Sequence, residues 1–70
     1  MIEFRVRFKE LRNENNVTQQ ELGKVLGVTK MAISHWESGH SEPSIQQIIE
    51  IARFFDVTTD YLLGAIDEYI

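Results

Sequence analysis

Seventy residues form one domain, and at this size folding removes only about 60% of the unfolded surface from water, so the apolar core must be small and well packed. Cysteine is absent, which excludes a disulfide scaffold and a thiolate zinc site. No apolar run approaches the ~20 residues of a membrane span, and residues 1–15 carry charges throughout, unlike a signal-peptide core, so a soluble cytoplasmic protein is expected. The net charge of −4 argues against a protein that holds polyanions by a surplus of lysine and arginine, but it is unevenly distributed. Residues 1–39 carry six basic against five acidic side chains (+1), whereas residues 40–70 carry one against six (−5). A mildly basic front would let one face approach a polyanion, but charge alone favours the simpler reading of a solvated surface.

The opening MIEFRVRF alternates apolar and polar residues like a strand, but Phe4, Phe8, Leu11 and Asn15 also follow helical spacing. With no turn signal before Asn15-Asn16, length decides for a first helix over about 4–15. In VTQQELGKVLG, Thr18 followed by Glu21 forms a capping box and Gly27 supplies a stop, predicting a helix over about 18–26. Thr29 then caps a third helix to about Ser38, before Gly39. After the loop GHSEP, Ser44 with Gln47 opens the most amphipathic segment, carried by Ile45, Ile48, Ile49, Ala52 and Phe55. Thr58 caps a short last helix through Asp60, Tyr61, Leu62 and Leu63, ended by Gly64. With no strand pair, repeat or linker, the expectation is an all-α, five-helix domain spanning residues 1–70.

Only Gly27 and Val28 separate Leu26 from Thr29, too few for a long antiparallel hairpin, so the second and third helices must cross steeply. Gly23 provides the small residue such a crossing needs, and Leu22, Leu26, Val28, Ile33 and Trp36 provide apolar anchors. This is a helix-turn-helix pattern, over about residues 18–38.

The stretches FKELRNENNVTQQELGKVLGVTKMAISHWESG and EPSIQQIIEIARFFDVTTDYLLG, about residues 8–64, resemble the phage repressor and Cro family of helix-turn-helix proteins, the XRE family, with its lambda-repressor-like domain. The family's LTQ-x-x-LA, LGVS, I-x-x-W/I-E-x-G and V-x-x-D-Y-L-L patterns each have a counterpart here. The resemblance implies a double-stranded DNA partner, read in the major groove by Lys30, Met31, Ser34 and, in some members, His35. It places Gln19 on a DNA phosphate, with Thr18 and Thr29 beside the same backbone, and pairs Arg12 with Glu37 in a structural salt bridge. The chemistry is compatible: Lys30 can donate to guanine O6 or N7, Ser34 can donate or accept, and Met31 can meet a thymine methyl. A cation at position 30 faces the positive end of its own helix, unfavourable unless an anion lies near. His35 stays open between a base or phosphate contact and cover for the edge of the core.

Three positions depart from the family pattern. The loop after the third helix, basic in the family, here reads His40, Ser41 and Glu42, so electrostatic affinity should be weaker; His40, Ser41 and Ser44 remain candidates for phosphate contact. Asp56 stands where glycine is common, which its tolerance of left-handed backbone permits. Phe54 occupies a site often small or polar. In the tail AIDEYI (65–70), Ile66, Tyr69 and Ile70 recur at helical spacing; either the fifth helix extends onto its own core, or they form with Phe54 a homodimer surface, which a palindromic operator requires. Ser34, His35 and Glu37 do not form a catalytic triad, because adjacent helical positions diverge by about 100°. His35 and His40 lack metal-site spacing. Neither enzyme activity nor a metal or cofactor is expected. The expected function is a transcriptional regulator, a repressor of Cro-like kind. The competing reading is a protein-binding module of the same fold, an antirepressor or antitoxin-like partner using the acidic C-terminal face.

Overall fold

Thr18, Thr29, Ser44 and Thr58 each stand in extended backbone, and each side-chain oxygen accepts from an amide three residues on, so four of the five helix starts are set by local chemistry. In the computed structural model, which describes residues 2–67, the order is α1 (Ile2–Glu14), α2 (Gln19–Leu26), α3 (Lys30–Ser38), α4 (Ile45–Phe55) and α5 (Thr59–Leu63). The all-α, five-helix expectation holds, with no strand among the described residues. The helix ends are equally local. After α2, Gly27 is left-handed (φ 72°), Val28 N–H donates to Gly23 O at 2.8 Å and Gly27 N–H to Lys24 O at 3.4 Å. Asp56 takes the same conformation after α4 (φ 56°), as anticipated for aspartate, and Asn16 does so after α1 (φ 57°).

One boundary and one apolar stripe of the sequence reading change. α1 starts at Ile2 rather than near residue 4, so the alternating run is helical. Phe4 and Phe8 stack at 5.1 Å inside the core while Val6, on the far side, stays exposed. In α4 the inward stripe is Ile48, Ile51, Ala52 and Phe55; Ile45, the first residue of the helix, is not part of it and is 80% exposed. Phe4, Phe8, Leu11, Leu22, Ile33, Trp36 and Leu62 complete the cluster, which therefore joins all five helices.

α5 ends at Gly64 and residues 65–67 are not helical, so α5 does not extend along the tail. Instead Arg7 secures it. The guanidinium lies 4.4 Å from the Tyr61 ring centroid, donates to Tyr61 O at 2.7 Å and to Ile66 O, and pairs with Asp67 at 2.8 Å. Phe54 and Ile66 are exposed, Phe54 meeting Phe55 edge-on at 4.9 Å. Tyr69 and Ile70, the other members of the candidate dimer surface, lie outside the described residues.

The capping box on α2 gives a pH dependence with a definite sign. Glu21 accepts from the Thr18 backbone N–H at 2.9 Å, and this bond, then the Thr18 hydroxyl and Lys24, hold its carboxyl below the ordinary glutamate range. A carboxyl depressed on folding stabilises the fold above its unfolded pKa and loses that contribution as pH falls through its folded value. Glu21→Gln should therefore be less stable than the parent at neutral pH, and the two urea midpoints should converge on acidification below the carboxylate range. A gap that persists in acid would assign the effect to packing instead.

Candidate nucleic-acid interface

The tight turn at Gly27 sets the N-terminus of α3 against the middle of α2. Gly23 makes this possible: a Cβ there would sit 2.8 Å from Val28 O and 3.3 Å from Thr29 C, so only the smallest residues allow the turn to pass so close. α3 packs on α2 more extensively than on any other helix, with Leu22 and Ile33 fully buried and Leu26, Val28 and Ala32 packed around them.

What this packing leaves outward is a shallow concavity lined by Gln19, Thr29, Lys30, Met31, Ser34 and His35. All four residues assigned to base contact are in it. Lys30 and Met31 are exposed and Ser34 and His35 half-buried, an order that follows from their position around α3. Thr18 and Gln19 line an adjoining hollow with Arg12, Gln20 and Lys30. The remaining phosphate candidates are less tightly grouped. The His40 ring lies 4.3 Å from that of His35 and so borders the concavity, whereas Ser41 lines a different hollow with Phe4, Arg5, Trp36, Gly39 and Glu42, and Ser44 heads α4.

Several of these groups already have a structural role. Thr18, Thr29 and Ser44 hydroxyls cap their helices, each accepting at 3.0–3.1 Å. Glu37 Oε2 accepts from Arg12 Nε at 2.5 Å, and Glu37 Oε1 from Arg12 Nη2 at 3.1 Å and Gln19 Nε2 at 3.0 Å. The expected Arg12–Glu37 pair is therefore present, with side chains only 12% and 6% exposed, and it also orients Gln19. Arg12 Nη1 further donates to Val17 O at 3.0 Å. Glu37 is thus committed, away from Ser34 and His35.

Three features were not legible from the sequence. Gln20 joins the hollow beside Lys30, and only its place after Gln19 hinted at this. His35 and His40, taken separately in the sequence, meet as a pair. The basic front half also spends three arginines internally: Arg5 donates to Ser38 O at 3.2 Å, Arg7 ties the tail, and Arg12 binds Glu37. Lys9, Lys24 and Lys30 are the exposed lysines of that half.

A steep two-helix corner held by a left-handed glycine, with an exposed polar stripe on the second helix, defines a helix-turn-helix domain. The helix-turn-helix family model matches residues 8–62, and the chain belongs to that family, in its XRE, phage-repressor branch. It is 42% identical over 63 residues to the HTH-type transcriptional activator BcrR of Enterococcus faecalis, covering 90% of this chain and 31% of that protein. It is 33% identical over 57 residues to repressor protein C2 of Salmonella phage P22, covering 81% of this chain and 26% of the repressor. The chain thus corresponds to less than a third of either relative. A crystal structure of the P22 c2 repressor in complex with synthetic operator 9T, in the presence of Tl+, superposes with a TM-score of 0.79 at 30% identity, covering 84% of this chain and 89% of that one.

Proposed function

We propose that this protein binds double-stranded DNA sequence-specifically in the cytoplasm and regulates transcription, with α3 in the major groove and the N-terminal end of α2 against the phosphate backbone. The observation that carries this reading is the convergence of Gln19, Thr29, Lys30, Met31, Ser34 and His35 on one outward concavity at the α2–α3 corner. In a groove, Lys30 would find the anion or base acceptor that its position at a helix N-terminus calls for. Gln19, steadied by Glu37, would donate to phosphate with little ordering cost. The P22 c2 repressor, similar in fold and sequence, supports this placement by its complex with an operator. Repression is the form of regulation proposed, by a homodimer that sets two α3 helices about 34–36 Å apart on an inverted repeat. Phe54 and Ile66 are the exposed described residues offered to that dimer.

Selection from a random duplex pool at about 50 mM salt tests the reading, because phosphate contacts are few and high salt would hide them. Enrichment of an inverted repeat supports a sequence-reading dimer. No enrichment by folded protein would favour the protein-binding module, for which the acidic second half is the candidate surface. On the enriched site, Lys30→Ala should weaken binding by about 1–3 kcal/mol and relax preference at one position of each half-site. Gln19→Ala should weaken all sequences alike; a changed base preference in that variant would contradict its assignment to phosphate.

A further inference from the structure

The His35–His40 pair lies where the concavity meets the loop after α3, and several bonds fix its geometry. Gly39 is left-handed (φ 82°), Ser41 N–H donates to His35 O at 3.4 Å, and His40 N–H donates to Ser38 Oγ at 3.4 Å. Arg5 from α1 holds the Ser38 carbonyl of the same turn. The loop is thereby folded back so that the two imidazoles meet at 4.3 Å with their planes tilted by 42°.

The charged groups around the pair come from each neighbouring element. Lys30 lies on the rim of the same concavity, and Arg5 reaches the C-terminal turn of α3 from α1. Lys9 lines a hollow with Arg5 and Glu37, whose carboxylate is taken by Arg12 and Gln19. Glu42 follows in the loop, beside Arg5. α2 contributes Gln19 to the concavity, which does not titrate.

Histidine is the side chain whose charge ordinarily changes between pH 5 and 8. Two imidazoles meeting at 4.3 Å, with Lys30 and Arg5 in the neighbourhood, set like charges side by side whenever both carry a proton, an unfavourable arrangement on its own. A phosphodiester laid against the rings reverses that balance by favouring the charged form. Resting on the DNA-binding reading, we propose that the His35–His40 pair is a proton-linked phosphate site: duplex binding draws a proton onto the pair, which supplies the cation that the loop GHSEP otherwise lacks. The sign follows from linkage. Because the bound state holds the proton more firmly, affinity rises as pH falls from about 8 towards about 6.

The test uses a random-sequence duplex of about 20 base pairs at about 50 mM salt, since a phosphate site needs no particular sequence. Between about pH 8 and about pH 6, affinity should rise roughly 3- to 10-fold per pH unit, the upper figure corresponding to one proton per chain. Calorimetry in two buffers of different ionisation heat should show matching proton uptake. His40→Gln should lose most of the pH dependence, whatever its affinity at pH 8, and His35→Gln should lose it as well, with helicity unchanged in both. Binding that is flat with pH, or a slope that survives in both variants, overturns the proton-linked site while leaving the DNA-binding reading in place. Absence of binding at every pH by folded protein, both to this duplex and to any sequence from the random pool, overturns both.

Discussion

Glu37→Ala is expected to destabilise the domain by about 3–5 kcal/mol, the largest effect of any single polar substitution proposed for it. The carboxylate receives two bonds from Arg12 and one from Gln19, in a site where the arginine side chain is 12% exposed. Truncation leaves that guanidinium largely out of water, with Val17 O as its remaining acceptor in the network. A 70-residue domain has a total stability of roughly 4–10 kcal/mol, so the variant should be partly unfolded at room temperature. A shift in the urea midpoint reads this directly. The partner substitution supplies the control: Arg12→Met combined with Glu37→Leu removes both charges, and should cost far less than the two single changes added together. A loss below about 1 kcal/mol in Glu37→Ala would mean the pair behaves like a surface bridge. DNA binding by either single variant should therefore be interpreted only after its folded fraction is known.

Gly23→Val should cost about 3 kcal/mol, by a different mechanism. The atoms a new Cβ meets, Val28 O, Thr29 C and Lys30 N at 2.8, 3.3 and 3.4 Å, all belong to the backbone of the turn, which cannot rotate aside as a side chain can. A branched residue must therefore push α3 away from α2, opening the packing around Leu22 and Ile33. Gly23→Ala is the informative contrast. Its single methyl also requires the turn to shift, but leaving glycine in a helix interior forfeits about 1 kcal/mol, so the two effects roughly offset each other. Thermal unfolding should place Gly23→Ala within about 1 kcal/mol of the parent and Gly23→Val well below it. Equal stability of all three would show that the corner has slack, and that the position of Lys30 relative to Gln19 is not set by this contact.

These cases also show which parts of the structure the sequence exposes. Caps and stops act over four or five residues, so Thr18 with Glu21, Ser44 with Gln47 and the turn at Gly27 were all legible, and with them the order of the helices. The α2–α3 corner was legible for the same reason, because its two-residue connection leaves few geometries. Helix periodicity alone could not say which apolar positions of α4 the core takes up, which is why Ile45 read as buried and Ile51 did not. Least legible were the long-range tasks of the arginines. Arg5 reaches Ser38 and Arg7 reaches Asp67 across 33 and 60 residues, and no local pattern distinguishes such a side chain from a solvated one. Three side chains of the basic front are thereby engaged within the fold, which a sum of charges cannot show. The meeting of His35 and His40 depended on how the loop folds back, which five residues of turn-forming sequence leave undetermined.

Arg7 and Leu62 give the domain a particular timing during synthesis. α1 packs against α5, Phe4 and Phe8 share a core with Leu62, and Arg7 holds the backbone at Tyr61 and Ile66. Within this domain α1 must therefore wait for α5 before its aromatic face is fully covered. Until then the corner of α2 and α3 can form and take up part of that face, Phe8 lying 6.2 Å from Trp36, but the side towards Leu62 stays uncovered. A chain that stalls before Leu62 would present that aromatic face without its closing helix, making an incomplete product easy to recognise and clear.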